Sequence, residues 1–221
     1  MRTDRAASLP VGLWACLALA FVSPAVSHAQ VGSQDSRVHV SGGGGVLTSG
    51  AYFTGPNDLE IASGAAAAVM LQASVAVHPR LATVLTAVYT RPEWELTGVP
   101  LVGKVGLSGA SAWFADAALR GHVSLGSGRR APAAFGQIGA GIARYSLDTS
   151  VLGVAVDEGA TNFAVGVGAG LVVPLTPKLG IEVMGKDYIA SFASVRDLAA
   201  FGVEGQRAHT LVGTVSARVG L

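Results

Sequence analysis

The chain has 221 residues, a formal net charge of +1, 13% charged residues and 50% hydrophobic residues. Soluble domains carry about 25% charged residues, so the composition argues against an ordinary soluble domain, and no nucleic-acid partner is expected. Mean hydropathy is positive at +0.50, yet beyond the first 29 residues no run approaches the roughly 18 apolar residues of a membrane helix, which disfavours a helical membrane protein.

Arg2 and Arg5 precede the apolar run VGLWACLALAFV and then SPAVSHAQ. A basic start, a short apolar stretch and small residues before a cut describe a secretory signal peptide. Ser27 and Ala29 satisfy the small-residue rule, so residues 1–29 read as the signal and residues 30–221 as one exported domain. Cys16 is the only cysteine and falls inside the signal. The exported part therefore has no disulfide and no thiolate metal site, and neither a cofactor nor a metal is expected.

Thirty glycines and frequent valines then favour strands. Period-two alternation of apolar residues marks eight segments, at 37–47, 65–77, 81–91, 111–125, 133–146, 162–173, 179–191 and 208–221. The sixth is the clearest: Phe163, Val165, Val167, Ala169, Leu171 and Val173 alternate with Ala164, Gly166, Gly168 and Gly170. Each segment covers the roughly 9–11 residues of a tilted membrane-spanning strand. HPR, GSGRRAP and PLTPK are short turns, whereas 48–64, 92–110, 147–161 and 192–207 read as long loops. Short turns at one end and long loops at the other match the wiring of an outer-membrane barrel, with both ends of the exported chain on the periplasmic side. The expected fold is all-β, an 8-stranded antiparallel up-and-down transmembrane β-barrel. SGGGGVLTSG at 41–50 lacks the GK[ST] of a phosphate loop and reads as a strand bend. Apart from Phe135, the aromatics (Tyr52, Phe53, Tyr89, Trp94, Trp113, Phe114, Tyr145, Phe163, Tyr188, Phe192, Phe201) fall in the loops or at adjoining strand ends, as for a girdle at the outer rim.

With the signal, the loop–turn alternation and the closing strand RAHTLVGTVSARVGL, the chain resembles the small outer-membrane β-barrel proteins of Gram-negative bacteria, the OmpA/OmpX-like and opacity-type surface barrels. The resemblance implies location in the bacterial outer membrane, contact with outer-membrane lipid and lipopolysaccharide, and insertion by the barrel-insertion machinery. That machinery commonly reads a terminal Phe in this family, whereas this chain ends in Leu221. No segment resembles the peptidoglycan-binding domain of full-length OmpA-like proteins.

Alternation sorts the side chains. In the fourth segment Trp113, Ala115, Ala117, Leu119 and Val123 share one face, and Asp116, Arg120, His122 and Ser124 the other; in the seventh, Ile181 and Val183 oppose Glu182, Met184 and Lys186. An 8-stranded barrel is filled by its own side chains, so inward charges must pair. Counting residues upward from the turns sets Asp116 level with Lys186 and Arg120 level with Glu182. Two cross-lumen pairs are expected, Asp116–Lys186 and Arg120–Glu182. Outside, Arg144 shares its row with Ile138, Ala140 and Ile142, and Arg91 and Arg207 lie near the outer rim. Guanidiniums at that height suit lipopolysaccharide phosphates or snorkel to water. Asp187 falls on the lipid row, as at an interface or a bulge. The acidic residues of the loops read as solvated, with weak binding of divalent cations or an adhesive surface as the alternatives.

An enzyme reading rests on the His-x-Ser spacing of His122 and Ser124, but the pair lies at the turn end, away from outer-leaflet lipid, and lacks a partner acid. His39, His78 and His209 are scattered without metal spacing. The reading is therefore of a non-enzyme with a structural or surface-interaction role and an unknown extracellular ligand. The alternatives are a narrow channel for ions or small solutes and a soluble periplasmic lipocalin-like barrel, the last disfavoured by the low charge content.

Overall fold

The computed structural model describes residues 36–54, 60–99, 103–107, 109–128, 130–151, 154–191, 204–205 and 207–221. The expected signal segment lies outside them. In chain order the strands are β1 (Val38–Ser49), β2 (Ala51–Thr54), β3 (Glu60–Ser63), β4 (Ala66–His78), β5 (Leu81–Thr90), β6 (Trp94–Val99), β7 (Gly103–Leu107), β8 (Ala110–Ser124), β9 (Ala133–Val151), β10 (Val154–Pro174), β11 (Leu179–Ser191), β12 (Glu204–Gly205) and β13 (Arg207–Gly220). Eight of them close a barrel in the order β1-β13-β11-β10-β9-β8-β5-β4. Every neighbouring pair is antiparallel. These are the eight alternating segments, with ends shifted by at most two residues except in the β9–β10 hairpin, where β9 ends five residues later and β10 begins eight earlier.

The loop end is more ordered than the sequence suggests. Residues 48–64 and 92–110, expected as loops, contain β2, β3, β6 and β7, which with β12 build a five-stranded sheet in the order β12-β2-β3-β6-β7. Each pairing in it continues a barrel pairing upward: β12–β2 prolongs β13–β1, β2–β3 prolongs β1–β4, β3–β6 prolongs β4–β5, and β6–β7 prolongs β5–β8. The expected loop 147–161 is likewise mostly strand, because the β9–β10 ladder runs from Ala133–Val172 up to Val151–Val154. The physical reason is that unpaired backbone above the rim finds its partner in the strand already beside it.

At the opposite end the connections are tight. In the β10–β11 turn, Pro177 supplies a turn-compatible φ, the Leu179 N–H donates to Thr176 Oγ1 at 2.9 Å, and the Thr176 N–H donates to the Leu179 carbonyl at 3.0 Å. Gly128 in the β8–β9 turn has φ 121°, a conformation that side-chain-bearing residues avoid.

The register fixes the dimensions. Following Cα partners around the wall, Thr48 pairs with Leu211, then come Asp187, Val167, Ile138, Leu119, Thr83 and Val75, and the circuit returns to β1 at Val38, ten residues from its start. A ten-residue stagger over eight strands, with about 3.3 Å per residue and 4.7 Å per strand, implies a tilt of about 41° and a wall radius of about 8 Å. Each residue then advances about 2.5 Å along the barrel axis.

The two faces are inverted relative to a water-soluble barrel. Leu71, Leu85, Ile138, Val69 and Phe163 are 60–66% exposed on the outside, while Arg120, Glu182, Lys186, Asp116, Gln72 and Gln137 are buried inside. On β10 the outward row runs from Phe163 to Val173, ten residues, or about 25 Å of axial height, the height of the apolar band of outer-membrane barrels. This distribution counts against the lipocalin-like alternative. The aromatic girdle is only partly as expected. Tyr89, Trp113 and Phe163 face out, but Phe114, Tyr145 and Tyr188 are at most 3% exposed inside, because they share alternation with Asp116 and Lys186 on their strands or with Gln137 on β9.

Inward glycines allow close approach. A Cβ on Gly141 would run into the Ala115 carbonyl and the Asp116 Cα, whereas a Cβ on the outward Gly185 would meet nothing within 4 Å. Gly141→Val is accordingly expected to destabilise the barrel by about 1–3 kcal/mol or more, and Gly185→Ala to be neutral. The check is heat-modifiable migration on detergent gels during urea titration; equal midpoints for the two variants would contradict this packing.

Candidate functional site

The charged residues of the lumen form two tiers. Arg120 on β8 and Glu182 on β11 make the tier nearer the turns. Arg120 donates from Nη1 to Glu182 Oε2 at 3.0 Å and from Nη2 to Oε1 at 2.9 Å, a bidentate fork of the strong, charge-assisted kind. Its remaining N–H groups reach the carboxamide oxygens of Gln137 on β9, at 2.9 and 2.7 Å, and Gln72 on β4, at 2.8 Å. The Phe135 ring lies 3.9 Å from the guanidinium carbon, within cation–π range. Gln72 donates onward to Thr86 Oγ1 at 3.2 Å, and Gln137 to Met184 Sδ at 3.3 Å. Arg120 is 0% exposed, so this tier spans the lumen from β8 to β11, β4 and β9.

The tier nearer the loops centres on Asp116 of β8 and Lys186 of β11. Lys186 Nζ lies 2.7 and 2.6 Å from the two Asp116 oxygens, and the Tyr188 hydroxyl donates to Asp116 Oδ1 at 2.9 Å. Phe114 stacks on Tyr188 at 4.8 Å, and Tyr145 meets Phe114 edge-on at 5.7 Å. An aromatic cap thus borders this pair. The stem of Lys186 fits because β10 presents glycines to it: a Cβ on Gly166 would sit 2.8 Å from Lys186 Cε, and one on Gly168 3.2 Å from Cγ.

The stagger decides who pairs with whom. Directly across the ladder from Arg120 come Gln137, Gly168 and then Lys186, which would set two cations together. Each step between strands shifts the level by about 3.1 Å, so Lys186 lies about four residues higher than Arg120. Glu182 is therefore level with Arg120, and Asp116 with Lys186. The structure brings all four sequence-predicted residues together as two pairs. Residue counting did not single out Gln72, Gln137, Tyr188 and Arg218. Arg218, on the same inward row of β13 as Thr214 and Ser216, reaches Glu182 Oε2 at 3.8 Å; its alternation placed it inside, but nothing gave it a partner.

Outside, Arg91, Arg144 and Arg207 are exposed and separate, on or beside β5, β9 and β13. Arg144 is the register partner of Trp113, itself the partner of Tyr89, and these two rings lie 4.5 Å apart. Arg91 Nε donates to the Tyr89 hydroxyl at 2.7 Å, and this hydrogen bond pushes the Arg91 pKa further up. Asp187 sits in an unbroken ladder, so it is not at a bulge. His209 Nδ1 lies 2.8 Å from its Oδ2. Ser124 Oγ donates to the Gly126 carbonyl at 2.8 Å, which spends the hydroxyl of the His-x-Ser pair on the turn. Among the described residues no group of three or more His, Cys, Asp and Glu is placed to hold a metal ion.

A closed eight-stranded wall, apolar outside over the height of a bilayer and polar and charged within, is a transmembrane barrel of the outer-membrane type. Known proteins agree at the level of fold. No family model and no curated protein matches the sequence. Among solved structures the chain is similar to Neisserial surface protein A, with a TM-score of 0.56 and 11% identity over 84% of this chain and 98% of that one. It is also similar to the outer membrane protein OprG from Pseudomonas aeruginosa, with a TM-score of 0.61 and 11% identity over 84% and 97%. The fold is that of the small Gram-negative outer-membrane barrels.

The pairs can be tested in a double-mutant cycle. Removing one member of a buried pair leaves an uncompensated charge, so Lys186→Met is expected to cost about 3–5 kcal/mol. Adding Asp116→Asn should recover part of that loss, and urea unfolding in detergent reads the difference. Strictly additive losses would mean that the two groups do not stabilise each other.

Proposed function

We propose that this protein is a non-conducting, non-enzymatic surface barrel of the outer membrane. Its lumen, plugged at the two charged tiers, is a scaffold, and the chain prolonged above the rim is the part that meets partners. The observation that carries this reading is the Arg120 tier: a fully buried guanidinium tied at once to β4, β9 and β11 plugs the lumen at that level. The loop-end sheet and the long β9–β10 hairpin support it from the other side, since ordered strands above the membrane present a defined surface. The bound state of Ser124 supports the non-enzymatic part.

Arg91, Arg144 and Arg207 anchor the rim to lipopolysaccharide phosphates. Arg91 and Arg144 flank the Tyr89–Trp113 pair near the top of the apolar band, and Arg207 is exposed at the start of β13.

Two measurements follow. Protein reconstituted in a planar bilayer is expected to give no unitary conductance steps; reproducible steps would favour the narrow channel instead. Lipopolysaccharide should raise the unfolding temperature of the detergent-solubilised protein, and the Arg91→Ala, Arg144→Ala, Arg207→Ala triple variant should lose most of that rise. An undiminished rise would remove these arginines from lipid contact.

A further inference from the structure

On the outer wall Asp187 and His209 stand among lipid-facing apolar side chains. Asp187 lies on the outward row of β11, in an unbroken ladder between Val167 of β10 and Leu211 of β13. His209, diagonally above it on β13, has Nδ1 2.8 Å from Asp187 Oδ2. The other oxygen, Oδ1, is buried and has no hydrogen-bond partner among the described residues. Such an acceptor is costly in an apolar medium, and an ionisable residue kept on a lipid-facing wall marks a functional site. Its level shows which part of a lipid it meets. Three ladder steps lead from Asp187 through Val167 and Ile138 to Leu119, and Trp113 stands six residues above Leu119 on β8. At about 3.1 Å per step and 2.5 Å per residue, Asp187 lies about 6 Å below Trp113 and about 9 Å below Arg144. By the same steps His209 stands about 8 Å above Asp187, at the height of Arg144. The pair therefore runs down the barrel axis from the interface into the top of the apolar band, where acyl chains join their headgroup. Below the carboxyl the wall is smooth. Gly185 and Gly213 are outward register partners, and a Cβ on either would meet nothing within 4 Å. Leu211, Val183 and Val215 around them are 46–57% exposed, so a shallow notch lies directly beneath Asp187.

We propose that this part of the β11–β13 wall binds one lipid of the loop-side leaflet, of the class whose acyl linkage carries a hydrogen-bond donor, an amide N–H or a chain hydroxyl. Ester-linked diacyl lipids offer only acceptors at this depth and leave Asp187 Oδ1 unsatisfied, whereas an amide or hydroxyl donates to it. The χ2 torsion of an aspartate is broad, so the free oxygen swings toward a donor arriving from the lipid side. His209 holds the carboxyl from above, and the notch at Gly185 and Gly213 takes the first segment of the chain. The site reads the acyl linkage and not the phosphate, so it stands independently of the arginine contacts proposed above.

The test is NMR of the leucine methyl signals of the full, folded protein in maltoside micelles, titrated with sphingomyelin or with phosphatidylcholine of matched chain length. The two lipids share one headgroup, and sphingomyelin alone carries an amide N–H and a hydroxyl at the linkage. Leu211 reports on the site, and Leu85, four strands away around the barrel on β5, serves as the control. Saturable shifts are expected at Leu211 and none at Leu85, with an affinity for sphingomyelin about tenfold above that for phosphatidylcholine, the scale of one hydrogen bond to a charged group. Asp187→Leu should make the two affinities equal. If that variant gives no heat-modifiable band, Gly185→Leu, which fills the notch from the lipid side, should weaken sphingomyelin binding by a similar factor. Equal affinities in the unsubstituted protein, an equal response at Leu85, or a preference that survives in the folded variant would overturn the site. Shifts that follow protein concentration without added lipid would overturn it too, by placing a second copy of the chain on this wall.

Discussion

The closing stagger of the wall is the constraint on which the rest of this molecule depends. Eight strands that return to β1 ten residues away from where they left must tilt, and the tilt sets the radius. At about 8 Å the wall encloses a lumen that side chains fill from either side. It also makes ladder neighbours and level neighbours different residues. Arg120 and Lys186 share a ladder row, yet their charges are satisfied by Glu182 and Asp116, each four residues along a strand. A different stagger with the same sequence would bring like charges together. The charge pattern thus encodes the register as well as reporting it, in the way that buried polar groups fix register elsewhere.

Inside such a lumen a charge has little water to fall back on, and a low local dielectric makes an unpaired ion far costlier than a paired one is beneficial. The two tiers meet this in different ways. Asp116 is held by an ammonium and a phenol, with aromatic rings on the loop side. Arg120 fills its donor fork with one carboxylate and two carboxamides. The second arrangement is rigid because four strands, β4, β8, β9 and β11, must keep their places for it to close.

Much of this was legible in the sequence, for a definite reason. Short turns all lie at one height, so counting residues up from them measures axial level directly and finds both ion pairs without a register. Alternation alone finds the eight strands. It also carried a signal easily overlooked: Phe114 and Tyr188 follow the parity of Asp116 and Lys186, so they belong inside and not to a girdle. The strands above the rim were hidden because glycine and proline interrupt their alternation, and their pairing is inherited from the barrel strands below. The approach of Arg218 to Glu182 was hidden as well, since a count from the turns finds only one opposite charge at each level. The Asp187–His209 contact runs diagonally between Ile189–His209 and Asp187–Leu211 register pairs, which no single-strand pattern reveals.

The glycines of the sixth alternating segment complete the same account. Because the stagger fixes the lumen's volume, large inward residues on two strands demand small ones on the others. The bulk sits on β8 and β11, as Phe114, Asp116, Arg120, Glu182, Lys186 and Tyr188. Between these strands, β10 offers Ala164, Gly166, Gly168 and Gly170 and β9 offers Gly139, Gly141 and Ala143, and β1 offers Gly43 and Gly45 across the lumen. A Cβ on Gly43 or Gly45 would meet the backbone of β13 at Val215 or Gly213. The outward residues of β10, from Phe163 to Val173, stay apolar and mostly large because lipid, unlike the lumen, sets no limit on their size. One strand therefore answers to two media, and its alternation of valine with glycine records volume on one side and hydrophobicity on the other.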